Sequence, residues 1–136
     1  MTSVVKNTIV NPDGLYDPEP NGYSHVVIST GGSGIVHFAG QGGEDKDGIL
    51  SPEFAKQVEQ AFENLRIAFA AANVQPNQVA KLTTFVVGYD QSQLDVMTLH
   101  VRKTFGKALP AQSLVPVPRL ALDGMLFEVE AVAIID

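Results

Sequence analysis

The chain has no cysteine among its 136 residues. Disulfides and thiol nucleophiles are both excluded. Basic side chains are scarce: 9 Lys and Arg stand against 15 Asp and Glu, a formal charge of −6. Phosphate backbones are held chiefly by basic side chains, so this balance argues against a nucleic-acid surface. No apolar run is long enough to cross a bilayer, which argues against a membrane partner. The start, MTSVVKNTIV, lacks the basic segment, apolar stretch and small-residue cleavage site of a secretory leader. The expectation from these absences is a cytoplasmic protein. What is present is a globular balance of 45% hydrophobic and 18% charged residues. The length suits one domain, 1–136.

Hydrophobic spacing orders the elements. Strands are expected at 4–10, 24–30, 35–41, 79–88, 111–117 and 125–134, where β-branched and aromatic residues cluster. The segment 11–22, rich in Pro, Gly and Asp, reads as a loop, and the GGSG at 31–34 as a hairpin turn. A first helix should begin at Ser51 as cap, with Pro52 and Glu53 in its first turn. Phe54, Val58, Ala61, Phe62, Leu65, Ala68, Phe69 and Ala72 then recur at helical spacing. Asn73 lies near its end and Pro76 beyond it. A second helix is expected over about 92–105, capped by Asp90 or Ser92. Pro116 and Pro118 place the 111–117 strand at an edge or make it short. The order predicts an α+β fold, one mixed sheet with both helices on one face. The other face would carry uncovered apolar residues, which predicts an obligate oligomer.

Chemistry is harder to place. TGGSG joins two strands with no helix or Lys after it, so it is no phosphate loop, and GQGGED at 40–45 fails the dinucleotide spacing. No GxSxG elbow exists. His25, His37 and His100 match no metal-ligand spacing; His25 and His37 are expected on adjacent strands. The last strand is the informative one. In MLFEVEAVAI, Met125, Phe127, Val129, Ala131 and Ala133 share one face and Leu126, Glu128, Glu130, Val132 and Ile134 the other. An unpaired buried carboxylate is costly, so Glu128 and Glu130 each need water, a partner or a task. Tyr23 after the loop, and Gln112 and Ser113 after Pro110, complete the set. Each also has a plain structural reading: Tyr23 as a loop anchor, Gln112 as an edge hydrogen-bonder, Glu130 as the partner of a Lys or Arg.

These residues carry a resemblance. NGYSHVV, AGQ at 39–41, the stretch QVEQAFENLRIAFAAANVQPNQVAKLTTFVV, and PAQSLVPVPRL followed by FEVEAVAI resemble the RidA-like (YjgF, endoribonuclease L-PSP) family from about Asn11 to Ile135. The resemblance implies a chorismate-mutase-like fold with a mixed six-stranded sheet, assembled as a homotrimer around a central barrel. It implies ligand clefts between subunits and cofactor-free hydrolysis of small enamines and imines to ketoacids and ammonia. It assigns the catalytic-water glutamate to Glu128 and a substrate-binding tyrosine to Tyr23, and leaves Glu130 as a structural pair. A Ser-Gly-Gln segment of the family aligns with Ala39-Gly40-Gln41, so the serine hydroxyl is missing and Gly40 remains. A helix asparagine falls near Thr98. Imine-deaminating members carry an arginine where this chain has Gln112, and a neutral amide cannot replace a guanidinium fork on a carboxylate. The expected substrate therefore differs from the usual 2-imino acids. Two other readings stand beside the hydrolase: a non-catalytic trimer that binds or senses a small molecule, and a ribonuclease or translation inhibitor, against which the acidic balance weighs.

Overall fold

The computed structural model describes residues 4–136. Residues 1–3, the start of the segment read for a leader, lie outside the described residues. Strands β1 (Lys6–Val10), β2 (Val26–Thr30) and β3 (Gly34–Gln41) precede helix α1 (Phe54–Ala71). Strand β4 (Val79–Val87), helix α2 (Leu94–Phe105), β5 (Ala111–Val117) and β6 (Phe127–Ile135) follow. The α+β architecture and the element order are as expected. No helix among the described residues is long and apolar enough to cross a membrane.

The sheet differs from the expectation of a single one. Four strands run in the order β3-β6-β4-β5, and β1 pairs only with β2 in a separate two-stranded sheet. GGSG is therefore a turn but not the tip of a hairpin: β2 pairs back to β1, and β3 pairs forward to β6. Gly31 and Gly32 both take positive φ, 72° and 78°, a conformation open to glycine and strained for other residues. They turn the chain out of one sheet and into the other. His25 and His37 consequently do not lie on paired strands. As its prolines require, β5 is an edge strand, parallel to β4.

Helix α1 buries one stripe, Gln57, Val58, Ala61, Phe62, Leu65 and Phe69, against β6 and β3. Its start is later than expected. Phe54 is the first helical residue and Glu53, with extended backbone, takes the cap position. Just before it, the Ser51 carbonyl accepts from Gln57 Nε2 at 2.8 Å and Ser51 Oγ accepts from the Glu53 N–H at 3.1 Å. Asn73, at φ 56°, ends the helix in the left-handed region that Asn tolerates. Asp90 caps a 3₁₀ turn leading into α2, accepting from the Ser92 N–H at 2.8 Å, while Gln93 accepts from the Asp90 N–H at 2.8 Å.

The core lies between the helices and one face of the four-stranded sheet. Phe62, Leu65, Leu82, Val86, Phe127 and Val129 are completely buried there. Burying each such side chain contributes about 1.5–3 kcal/mol relative to leaving it in water. The alternation expected of the last strand holds: Phe127, Val129, Ala131 and Ala133 are buried, while Glu128, Glu130, Val132 and Ile134 are only partly covered. Among the described residues no helix covers the second face, and apolar residues such as Ile35 (61% exposed) and Val115 (38%) remain on that side.

Candidate functional site

Strand register divides the candidate residues between the two faces of the sheet. Gln112 pairs with Leu82, whose side chain is buried under the helices, so Gln112 points to the helix side. Glu128 pairs with Phe85 and Glu130 with Thr83, both on the opposite, open side. Within one chain the two halves do not meet.

On the helix side, Tyr23 and Gln112 line one cavity of about 280 Å³ together with Asn21, Tyr89, Leu94 and Leu114. Among the described residues no Lys or Arg lines it. Residues 11–25 form a closed loop that sets Tyr23 in place. The His25 N–H donates to Asn11 Oδ1 at 2.8 Å, and His25 Nε2 lies 2.7 Å from the Tyr16 carbonyl. The rings of Tyr16, Tyr23 and His25 meet edge to face, with centroids 5.1–6.4 Å apart. The Tyr23 and Tyr16 hydroxyls are hydrogen-bonded to each other. Partial burial, and then this bond, push the Tyr23 phenol up to about 12, so it stays a neutral donor at physiological pH. Arg102 of α2 anchors the loop by donating to the Glu19 carbonyl at 2.8 Å. Thr98, expected in the site, is 7% exposed and packs under the loop instead, its methyl against Gly22, outside the cavity lining.

Gln112 itself is incompletely bonded. Its Nε2 lies 3.5 Å from Thr84 Oγ1, and Thr84 Oγ1 in turn lies 3.5 Å from the Ser113 carbonyl. Both contacts lie at the outer limit of hydrogen-bond length and hold the amide only loosely. Among the described residues the buried Gln112 Oε1 has no hydrogen-bond partner.

On the open side, a bulge at Ala39–Gly40 sets three steps of β3 against two of β6, between Phe38↔Ala131 and Gln41↔Val129. The Glu128 carboxylate lies against this bulge. A Cβ at position 40 would fall 1.8 Å from Glu128 Oε1, so only glycine leaves room for it. Partial burial raises the Glu128 pKa above the ordinary carboxylate value, with smaller contributions from the negative charges of Glu44 and Glu130. Glu130 was expected to make a structural pair. Among the described residues no basic side chain lies within ion-pair distance of it, because the nearest row across the sheet is Thr83 and Ser113 and Lys81 bonds to Ser113 Oγ at 2.9 Å.

Glu44 is the residue the sequence reading missed. Asn64 of α1 fixes it, donating from Nδ2 to the carbonyls of Gly42 (3.0 Å) and Glu44 (2.8 Å). The only signal in the sequence was an acidic residue close after the AGQ segment; the contact that places it spans 20 residues.

Comparison with known proteins fits this frame. The family model described as endoribonuclease L-PSP matches residues 17–135. The chain belongs to this family. It is similar to the RutC family protein YjgH of Escherichia coli (strain K12), at 29% identity over 130 residues that cover 96% of both chains. It is also similar to the RutC family protein PH0854 of Pyrococcus horikoshii, at 32% identity over 118 residues, 85% of this chain and 90% of the relative. Among solved structures, YyfB of Yersinia pestis, from the conserved Rid protein family, superposes with a TM-score of 0.90 at 29% identity over 96% of this chain and 99% of its own.

Proposed function

We propose that this member of the endoribonuclease L-PSP family is a cofactor-free hydrolase of small imine- or enamine-like metabolites. The observation that carries the reading is the Glu128 carboxylate, partly desolvated, raised in pKa and lodged against Gly40 on the open sheet face. A carboxylate raised toward neutrality is suited to general-base work. Glu128 would take a proton from water as its oxygen adds to the C=N carbon. The proton goes on to nitrogen, and collapse of the carbinolamine releases ammonia or an amine and leaves a carbonyl. Tyr23 and Gln112 would hold the substrate, with backbone groups at Gly40 beside the water. The neutral Gln112, in a cavity without a cation, speaks against the usual 2-imino acids as substrates. A cytoplasmic location suits such a role.

The reading requires more than one copy. Glu128 and Gln112 sit on opposite faces of one sheet, and both outer edges of that sheet, β3 and β5, lack a further named strand. The open face bears exposed apolar residues. A homotrimer that covers these faces and edges would bring residues of a second copy to Glu128. Sedimentation should give a trimer at micromolar concentration; a monomer would remove the intersubunit site.

The chemistry is tested by mass-spectrometric screening of imines freshly generated from a panel of amino acids and neutral amines. Turnover should fall about 100-fold or more in Glu128→Gln, within the range for loss of a general base, and survive in Glu130→Gln. Binding without turnover in the wild type would favour the sensing alternative. Purified protein that cleaves RNA, with loss in Glu128→Ala, would instead favour the ribonuclease, which a net charge of −6 disfavours.

A further inference from the structure

A groove of about 680 Å³ runs along the exposed side of α1, between α2 and residues 43–51. Its lining carries both signs, three acidic and three basic side chains, in a chain whose net charge is −6. Most of these charges are already engaged. Arg66 donates from Nη1 to Glu63 Oε2 at 3.3 Å and from Nη2 to Thr104 Oγ1 at 2.9 Å. Lys56 lies 3.8 Å from Glu53. Asp45 Oδ1 accepts from the N–H groups of Asp47 and Ile49, both at 2.9 Å. Glu59 on the α1 wall and Lys103 on the α2 wall are left over: among the described residues neither is in an ion pair. Both act on His100, whose ring stacks on Phe62 with centroids 6.1 Å apart and planes at 20°. Burial lowers the His100 pKa, Lys103 and Arg66 lower it further, and Glu59 opposes them, so the ring is neutral at physiological pH. Among the described residues neither ring nitrogen is hydrogen-bonded, yet neither is sealed from solvent as the Gln112 oxygen is. The ring edge is open to the groove it lines, with one N–H to give.

We infer that this groove is a second binding site, for a small zwitterion whose ammonium meets Glu59 and whose carboxylate meets Lys103 and the N–H of His100. A simple anion would reach Lys103 but face Glu59 and Glu63, and a simple cation would reach Glu59 but face Lys103 and Arg66. A molecule with both signs engages the two unpaired charges at once. The axes of packed helices lie about 8–10 Å apart, so its two ends must be separated by several bonds, as in an ω-amino acid rather than an α-amino acid. The site is independent of the proposed hydrolase. Glu128 lies on the open face of the sheet, and covering that face leaves the groove accessible on the helix side.

The test is titration of the full chain at neutral pH and constant ionic strength, followed by NMR of the His100 ring, with three probes on one carbon skeleton: 4-aminobutanoate, butanoate and butylammonium. The His100 resonances should shift and saturate with 4-aminobutanoate at a concentration about fivefold or more below that needed for either single-ended probe, the scale of one added exposed charge contact. Glu59→Gln and Lys103→Gln each remove one end of the site, so the preference should fall to within about twofold in each. Lys103→Glu makes both walls acidic, and butylammonium should then bind more tightly than 4-aminobutanoate. Both positions are exposed, so these variants leave the core untouched. Equal or tighter binding of butanoate or butylammonium by the wild type overturns the inference. So does a 4-aminobutanoate shift that fails to saturate by about 0.1 M, or a preference that survives either neutralising variant. None of these outcomes depends on turnover, whose own test is Glu128→Gln.

Discussion

Two glutamines lie at opposite borders of the core and are treated differently by the fold. Gln57, fully buried, uses every polar atom: Nε2 donates to the Ser51 and Gly124 carbonyls at 2.8 and 2.9 Å, and Oε1 accepts from the Leu126 N–H at 2.8 Å. It ties the entrance of α1 to the entrance of β6. Gln112 makes one contact, at 3.5 Å, and keeps a buried oxygen unpaired. The same side chain is thus a structural bracket in one place and a poorly bonded amide in the other. A satisfied buried amide rigidifies the fold, whereas an unsatisfied one lowers stability.

The largest expected effect breaks the comparison at the structural end. Gln57→Leu would strand the Leu126 N–H and two carbonyls, at about 1–3 kcal/mol for each group left buried and unpaired. Allowing for partial rescue by water, urea denaturation should show a loss of about 3 kcal/mol. Gln112→Leu replaces a poorly bonded amide and should stay within about 0.5 kcal/mol of the wild type, or gain stability. Equal losses in the two variants would show that the Gln112 oxygen is satisfied in solution.

Neither role could be read from the residue type. What the sequence did make legible was burial, because period-two alternation reports it directly: the two faces of β6 fall where Phe127, Val129 and Ala131 against Glu128, Glu130 and Val132 place them. Helix α1 was equally clear from its apolar stripe, apart from its first residues, where the Ser51 carbonyl accepts from the Gln57 side chain. Strand pairing was not legible. A glycine turn says that the chain changes direction, not that the strands it joins will pair, and β2 and β3 go to separate sheets. Of the candidate site, Tyr23 and Gln112 line one cavity, Thr98 sits behind the loop, and Glu44 is placed by Asn64 through a tertiary contact that local pattern does not encode.

A smaller effect sharpens the comparison at the functional end. Gln112→Arg places a guanidinium where the resemblance to imine-deaminating proteins leads one to expect it. A well-formed charge-assisted bidentate contact contributes roughly 1.5–3 kcal/mol, or about one to two powers of ten in transition-state binding. In this cavity the larger side chain meets Tyr89, Leu94 and Leu114, and Ala39 lacks the hydroxyl of the family segment. On the proposed reading of a pocket reshaped at several positions, one substitution should restore hydrolysis of a 2-imino acid by less than about tenfold. Efficient hydrolysis of that imine by the wild type would show that carboxylates are held without the arginine, and the contrast between the two glutamines would lose its functional meaning.

The smallest expected effect extends the same contrast to the carboxylates, since Glu128 is also a polar group kept at a cost to the fold. Its pKa is raised in the folded state, first by burial and then by Glu44 and Glu130. Between the unfolded and the raised folded pKa, the native state binds more protons than the unfolded one, so stability falls as pH rises through that window. Glu128→Gln removes the titration. The variant should match the wild type under acidic conditions, below the ordinary carboxylate pKa, and become the more stable of the two toward neutral pH, as read by melting temperature across pH. Glu44→Gln removes one like charge, so the Glu128 pKa should drop part of the way back. The acidic limb of the pH–rate profile, which reports ionisation of the general base, should then move to lower pH with the plateau rate little changed. The shift should be modest, because burial is the larger cause and remains in place. A limb that stays where it was, or moves upward, would show that Glu44 does not act on Glu128 in solution and would leave burial against the Gly40 bulge, with the charge of Glu130, as the reason for the raised carboxyl.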